Sequence, residues 1–302
     1  MIAIETMRDR FVAVVGELLD RDPRAVVVLA DIGVARFAEE GVIERHPDRV
    51  VNVGIREQAM VGVAAGMALE GFRPIVHTYA PFLVERPFEQ IKLDFSHQGV
   101  GAVLVSVGAS HDWAKGGRTH HAPADVALVS TLPGWKIHVP GHPDEAELAL
   151  RQAMSVDEPV YIRLSEASNA AAHLEAVEAT VVVRSGSAES ATVIAIGPML
   201  DRVLHATADR DVAVLYAATA VPLAGEALRR CRSEDIVIVE PTLQGTSVPL
   251  LAELLQDRPR RLLGIGVGRV ELRRYGSADE HDAAHGLDVA GLRGRIDAFL
   301  QN

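Results

Sequence analysis

The sequence predicts an α/β protein built from two doubly wound domains, and three observations carry that expectation. Short apolar runs of strand length alternate with segments of helical period along most of the chain, the rhythm of a mostly parallel sheet covered by helices. The 302 residues are 48% hydrophobic but only 4% aromatic, which suits two aliphatic cores of ordinary size. The alternation lapses once, in an Ala/Glu/Ser-rich stretch from Glu166 to Ala179, and then resumes. The expected division is therefore a first domain over 1–165, a linker over 166–185 and a second domain over 186–302.

In chain order, Phe11–Leu19 reads as the first helix and Ala25–Ala30 as the first strand. Val50–Val53, Pro74–Thr78, Ala102–Val107, Lys136–Val139 and Val160–Leu164 read as further strands. Gln58–Leu69, Pro87–Phe95 and Asp144–Met154 read as helices between them. The run from Gly141 to Glu145 (GHPDE) opens the last of these, with proline and acids where a first turn favours them. The second block has strands at Ala191–Gly197, Val212–Tyr216, Ile236–Glu240 and Leu262–Val267, and ends in a helix over Val289–Phe299. Gly264, Gly266 and Gly268 have no strand–turn–helix unit or downstream ribose acid, so they read as a strand-to-loop turn and not as a nucleotide site.

Bulk properties narrow the function. A net charge of −11 without basic clusters excludes a binder that tracks nucleic-acid phosphates. Cys231 is the one cysteine, so no intrachain disulfide can form and a reducing compartment is expected. No apolar run reaches membrane length, and a start carrying Glu5, Arg8, Asp9 and Arg10 is no signal peptide. A soluble, cytoplasmic protein is the expectation.

The richest segment is 53–72, VGIREQAMVGVAAGMALEGF. Glu57 stands at the mouth of a run of small and apolar residues, Met60 to Leu69, that reads as a buried helix open to close approach by other backbones. A carboxylate at the edge of such a helix is costly to keep ionised, and acids of that kind share protons with ligands. An acid placed there only to suit the helix dipole is the other reading of the same residue.

Several motifs together carry a family resemblance. The string from Val50 to Met60 (VVNVGIREQAM), the following Gly66–Ile75, Thr78–Gln90 (TYAPFLVERPFEQ) and Gly116–His121 (GGRTHH) occur in order. They resemble the pyrimidine-binding domain of transketolases, a pattern shared by deoxyxylulose-phosphate synthases, and the second block resembles that family's C-terminal domain. The resemblance implies a thiamine-diphosphate-binding fold followed by a transketolase C-terminal-like α/β domain.

The resemblance also implies roles. Thiamine diphosphate is the expected cofactor, with Glu57 donating a hydrogen bond to N1′ of its aminopyrimidine ring and so promoting loss of the thiazolium C2 proton. Phe82 and Phe88 match the aromatic pocket around the pyrimidine, with Arg86 between them where split members often carry arginine. Read without the family, two phenylalanines six apart are ordinary core. Asp31 and Ile32 match the turn near the thiazolium, and Ile55 falls in the cofactor-binding string. A strand-end aspartate that caps a turn remains the alternative for Asp31. His120 matches the histidine that approaches the donor's oxygen, and His77, His111 and His121 are expected to line the same funnel or to serve as packing residues. A zinc reading of these histidines with Asp112 finds no metal spacing, so no metal ligand is assigned in this chain.

What the sequence lacks is also informative. The family holds Mg2+ and the diphosphate with a Gly-Asp-Gly…Asn signature, and no Gly-Asp-Gly occurs in these 302 residues. The expected partner is a separate N-terminal subunit carrying that site, in an α2β2 assembly. Sugar-phosphate enzymes of the family usually read Leu-Ser-Arg where this chain reads Leu164-Ser165-Glu166, and Glu-Asp-Gly where it reads Lys115-Gly116-Gly117. An acid in the phosphate clamp repels phosphate, so an unphosphorylated or amine-bearing substrate is expected for a two-carbon ketol transfer. The competing readings are the beta subunit of a 2-oxo-acid dehydrogenase, whose Ser-Glu-Gln context and potassium loop are not found, and a scaffold subunit without cofactor.

Overall fold

A computed structural model describes residues 5–187, 190–224 and 226–301. The strands are β1 (Ala25–Leu29), β2 (Val50–Asn52), β3 (Arg73–Tyr79), β4 (Val103–Val107), β5 (Lys136–His138), β6 (Val160–Arg163), β7 (Thr180–Arg184), β8 (Ala191–Ile196), β9 (Val212–Ala217), β10 (Thr219–Val221), β11 (Asp235–Leu243) and β12 (Arg261–Val267). They form a seven-stranded sheet ordered β10-β5-β6-β4-β3-β1-β2 and a five-stranded sheet ordered β12-β11-β8-β9-β7. All the pairings are parallel except β10 with β5 and β7 with β9. The α/β class and the two parallel-dominated sheets are those expected from the alternation of runs.

The central strands β1 and β4 are buried along their whole length, which is why they read as continuous apolar runs. On one face of the first sheet, Phe11, Val15 and Leu19 of the helix Met7–Arg21 meet Ala146, Ala149 and Leu150 of the helix Pro143–Met154. On the other face, Met60, Val61 and Ala64 of the helix Glu57–Leu69 pack with Val76, Leu104, Ile91 and Phe95. Under the sheet, Arg163 and Asp125 form an ion pair of 2.8 Å with both side chains fully buried, and Tyr161 donates its hydroxyl to the same Asp125 oxygen.

Three expectations change, and one strand is new. The stretch Pro87–Phe95 is not one α-helix. It is a three-residue α-turn, Phe88–Gln90, followed by wider π-turns over Ile91–His97, with a first π-segment at Pro81–Glu85. Pro87 has no N–H to continue an i→i−4 ladder, and the chain widens around it. The stretch 166–185 is not wholly connector, because β7 begins at Thr180 and pairs with β9; its five residues are only partly buried and show no apolar period. β10, from the second half of the chain, adds an antiparallel edge to the first sheet, a pairing three residues cannot announce. The helix Glu57–Leu69 is not buried all round: Glu57, Met60, Val61, Ala64 and Ala65 are covered, whereas Val63 and Leu69 are 37% and 58% exposed.

Candidate active site

Glu57 opens its helix directly after Arg56, so its backbone amide belongs to the first turn and its carboxyl lies beside the positive end of the helix dipole. The side chain is 2% exposed. Arg86 Nη1 donates to Glu57 Oε1 at 2.7 Å, and the same guanidinium sits 4.2 Å above the centroid of the Phe82 ring. The π-segment Pro81–Glu85 sets this geometry, because it carries Phe82 and delivers Arg86 at its end, where the Arg86 carbonyl accepts from Gln58 Nε2. Phe88 packs half-buried against the same core cluster.

His120 joins this group, with its ring 5.2 Å from that of Phe82 and 6.0 Å from that of Tyr79. Its Nδ1 lies 3.1 Å from the Thr119 hydroxyl and 3.3 Å from the Gly116 carbonyl, contacts that hold the ring in place. Gly117, with φ 71°, makes the turn that presents Arg118–His120, a conformation that disfavours a side chain. Asp31 also has a positive φ, 67°, and its amide donates to Asn52 Oδ1 at 2.9 Å. Ile32 is half-buried beside it, and Ile55 is 71% exposed.

The remaining histidines divide. His77 does not line this region: it is fully buried, tilted against Phe11 at 4.7 Å and edge-on to Phe37 at 6.3 Å, and bonded through Nδ1 to the Val105 carbonyl. Burial pushes it down to about 3, so it is a neutral core residue. Its place in β3 hid this, since strand alternation does not show which face a histidine meets. His111 and His121 do share a cavity, of about 350 Å³, with Arg118 and two residues the sequence reading missed, His281 and His285. These two come from the helix Ala278–His285, more than 150 residues away, and only their i, i+4 spacing on one helix face was readable.

A second cavity of about 260 Å³ touches His111 and is lined by Asp112, Glu166, Arg202, Asp279 and Asp282. Burial pushes the Asp112 carboxyl up to about 7, against the pull of the Glu166 and Ala109 amides that donate to it. Arg202 there is paired with Asp282 and Asp279, and Arg163 with Asp125, although Arg163 Nη1 is buried without a partner among the described residues. The cavity is acidic.

Two parallel-dominated sheets, with a sealed carboxyl beside an aromatic cluster at the start of one helix, define an α/β protein of the doubly wound class. Residues 5–170 match the transketolase pyrimidine-binding domain family, and the chain belongs to that family. It is 47% identical to an uncharacterized 33.6 kDa protein of the fasciation locus of Rhodococcoides fascians, over 93% of this chain and 91% of that one. It is 29% identical to a 1-deoxy-D-xylulose-5-phosphate synthase of Geobacter sulfurreducens over 92% of this chain, and spans 46% of that longer protein. Among solved structures, a split gene transketolase described as an inactive beta4 tetramer superposes with a TM-score of 0.83 over 98% of both chains, at 24% identity.

Proposed function

We propose that this chain is the pyrimidine-binding subunit of a two-component, thiamine-diphosphate-dependent enzyme that transfers a two-carbon ketol unit. The observation that carries this reading is the sealed Glu57 carboxyl, bonded to the Arg86 that covers the Phe82 ring, with His120 edge-on to both Phe82 and Tyr79. These residues fit the cofactor's aminopyrimidine. A carboxyl at 2% exposure whose cationic partner is itself 41% exposed can exchange that partner for a ring nitrogen without leaving its niche.

When bound, thiamine diphosphate supplies an acidic carbon and an electron sink for breaking and making a carbon–carbon bond beside a carbonyl. Glu57 would hold a proton at the pyrimidine N1′ atom. Phe82 and Phe88 would stack on that ring and exclude water from Glu57. Asp31, Ile32 and Ile55 would flank the thiazolium side, and the His120 ring would hydrogen-bond a substrate hydroxyl.

Mg2+ and the diphosphate would be held by a separate N-terminal subunit, in an α2β2 assembly. Support comes from the absence of Gly-Asp-Gly in these residues and from the fold shared with a split gene transketolase over 98% of both chains. The uncovered side of the helix Glu57–Leu69 supports it too. Val63, Leu69 and the neighbouring Ile55, Phe72 and Leu93 are 37–71% exposed, and a Cβ on Gly66 would meet nothing within 4 Å. Such a face of small and apolar residues suits a close-packed second chain.

The substrate we infer is unphosphorylated or amine-bearing, because Glu166 and its acidic neighbours line the cavity beside His111. The reading is tested by mixing this chain with a chain carrying Gly-Asp-Gly…Asn and titrating thiamine diphosphate with Mg2+ calorimetrically. Binding should require both chains. Glu57→Gln should slow deuterium exchange at the thiazolium C2 by orders of magnitude with the complex intact; near-normal exchange would remove Glu57 from the chemistry.

A further inference from the structure

His111, His121, His281 and His285 converge from two segments far apart in sequence; His111 alone borders the substrate cavity proposed above, and the cluster as a group has no part in that reaction. His111 stacks on His281 with ring centroids 4.6 Å apart and on His285 at 5.2 Å, while His121 stands edge-on to His111 at 4.9 Å and to His281 at 5.0 Å. His281 is fully buried, and His111 and His121 are 6% and 4% exposed.

The hydrogen bonds of the cluster are incomplete. His281 Nε2 lies 2.9 Å from the Tyr275 carbonyl, which can only accept, so the proton is on Nε2 and Nδ1 carries a lone pair. That Nδ1 has no partner, nor have His111 Nδ1 and His121 Nε2, although all three atoms are buried. Three orphaned ring nitrogens in one cluster are costly unless something meets them. Buried imidazole nitrogens that carry unmet lone pairs suit a cation of intermediate softness.

We propose that His111, His281 and His285 form a binding site for a divalent transition-metal ion, zinc in the first instance. One nitrogen from each of the three lies within 4.8 Å of the others. Tetrahedral ligation at about 2.1 Å needs nitrogens about 3.4 Å apart, and each lone pair lies in its ring's plane, so rings that now stack within 10–18° of parallel must rotate as well as close up. His285 is the weakest of the three, because its Nδ1 accepts the Gly268 amide at 3.2 Å and that contact must adjust. The Tyr275 carbonyl plays the orienting part that an outer hydrogen bond plays for metal-bound histidines. The fourth position faces the 350 Å³ cavity, where His121 or a water completes the tetrahedron.

The site lies wholly within this chain, so its test is independent of the cofactor and of any partner subunit. Chelator-treated full-length chain is titrated with zinc chloride in a calorimeter, and with cobalt(II) chloride while visible absorption is recorded. One equivalent of zinc should bind, and cobalt(II) should develop the intense visible bands of four-coordinate geometry. His281→Gln and His111→Asn should each weaken zinc binding at least tenfold and abolish those bands, with circular dichroism confirming the fold. If either variant unfolds, imidazole nitrogen-15 spectra of the wild-type chain with and without zinc read the ligands directly; shifts confined to other histidines overturn the site. No zinc binding by wild-type chain, or equal binding by both folded variants, also overturns it.

Discussion

Arg86 and Glu57 are joined by a 2.7 Å bond that runs from a half-exposed cation to a sealed carboxylate, across the face of Phe82. The pair is asymmetric. Removing the arginine leaves a buried charge without its partner, whereas removing the acid releases a side chain that can reach water.

Arg86→Ala should therefore destabilise the isolated chain by about 1–2 kcal/mol, less than a fully buried pair because solvent reaches the guanidinium. In a Glu57→Gln background the same change should cost markedly less. Urea unfolding of the four members of this double-mutant cycle gives the coupling, and additive effects would show that the pair contributes nothing.

The Asp125–Arg163 pair is a stronger case, since neither side chain has any exposure, Tyr161 donates to Asp125 and Arg163 Nη2 donates to Ser110, with only Arg163 Nη1 left without a partner among the described residues. Asp125→Ala should lower stability by about 3–5 kcal/mol, measured from the shift in urea midpoint at constant slope. A loss under 1 kcal/mol would mean that water enters beside Arg163.

Stability should depend on pH in two opposed ways. His77, depressed to about 3 when folded, contributes stability present above its unfolded value near 6.5 and lost as pH falls from there toward 3. His77→Phe, which keeps a ring beside Phe11, should flatten the acid limb of a plot of melting temperature against pH.

Asp112 has the other sign. Its carboxyl, raised to about 7, contributes stability present below about 3.9 and lost as pH rises through 7. Asp112→Asn keeps an acceptor for the Ala109 and Glu166 amides. Its melting temperature relative to wild type should rise between pH 4.5 and pH 8, and a constant difference would count against a protonated Asp112.

For substrate choice, Glu166→Arg in the reconstituted complex should raise kcat/KM for a ketose phosphate at least about tenfold relative to its unphosphorylated analogue. An unchanged ratio would place phosphate recognition elsewhere.

Much of this was readable before folding was considered. The buried strands β1, β4 and β8 announce themselves as apolar runs because both of their faces are covered. The helix after Glu57 is legible from its small residues, although not the fact that one side stays open in this chain. β7 and β10 were invisible, being short, antiparallel and dependent on partners distant in sequence. His77 illustrates the limit at a single position: β3 was readable, but the layer its histidine meets was not.

By itself, the order of residues determined the two-block α/β architecture, the helix that begins at Glu57, and the aromatic segment around Phe82, because each is written in local periodicity or contiguous motif. Only the tertiary structure decided that Arg86 reaches Glu57, that Asp125 sits under Arg163, and that His111 faces His281 and His285. Those contacts join residues from 29 to more than 150 positions apart, so they follow from how sheets and helices stack and not from spacing along the chain.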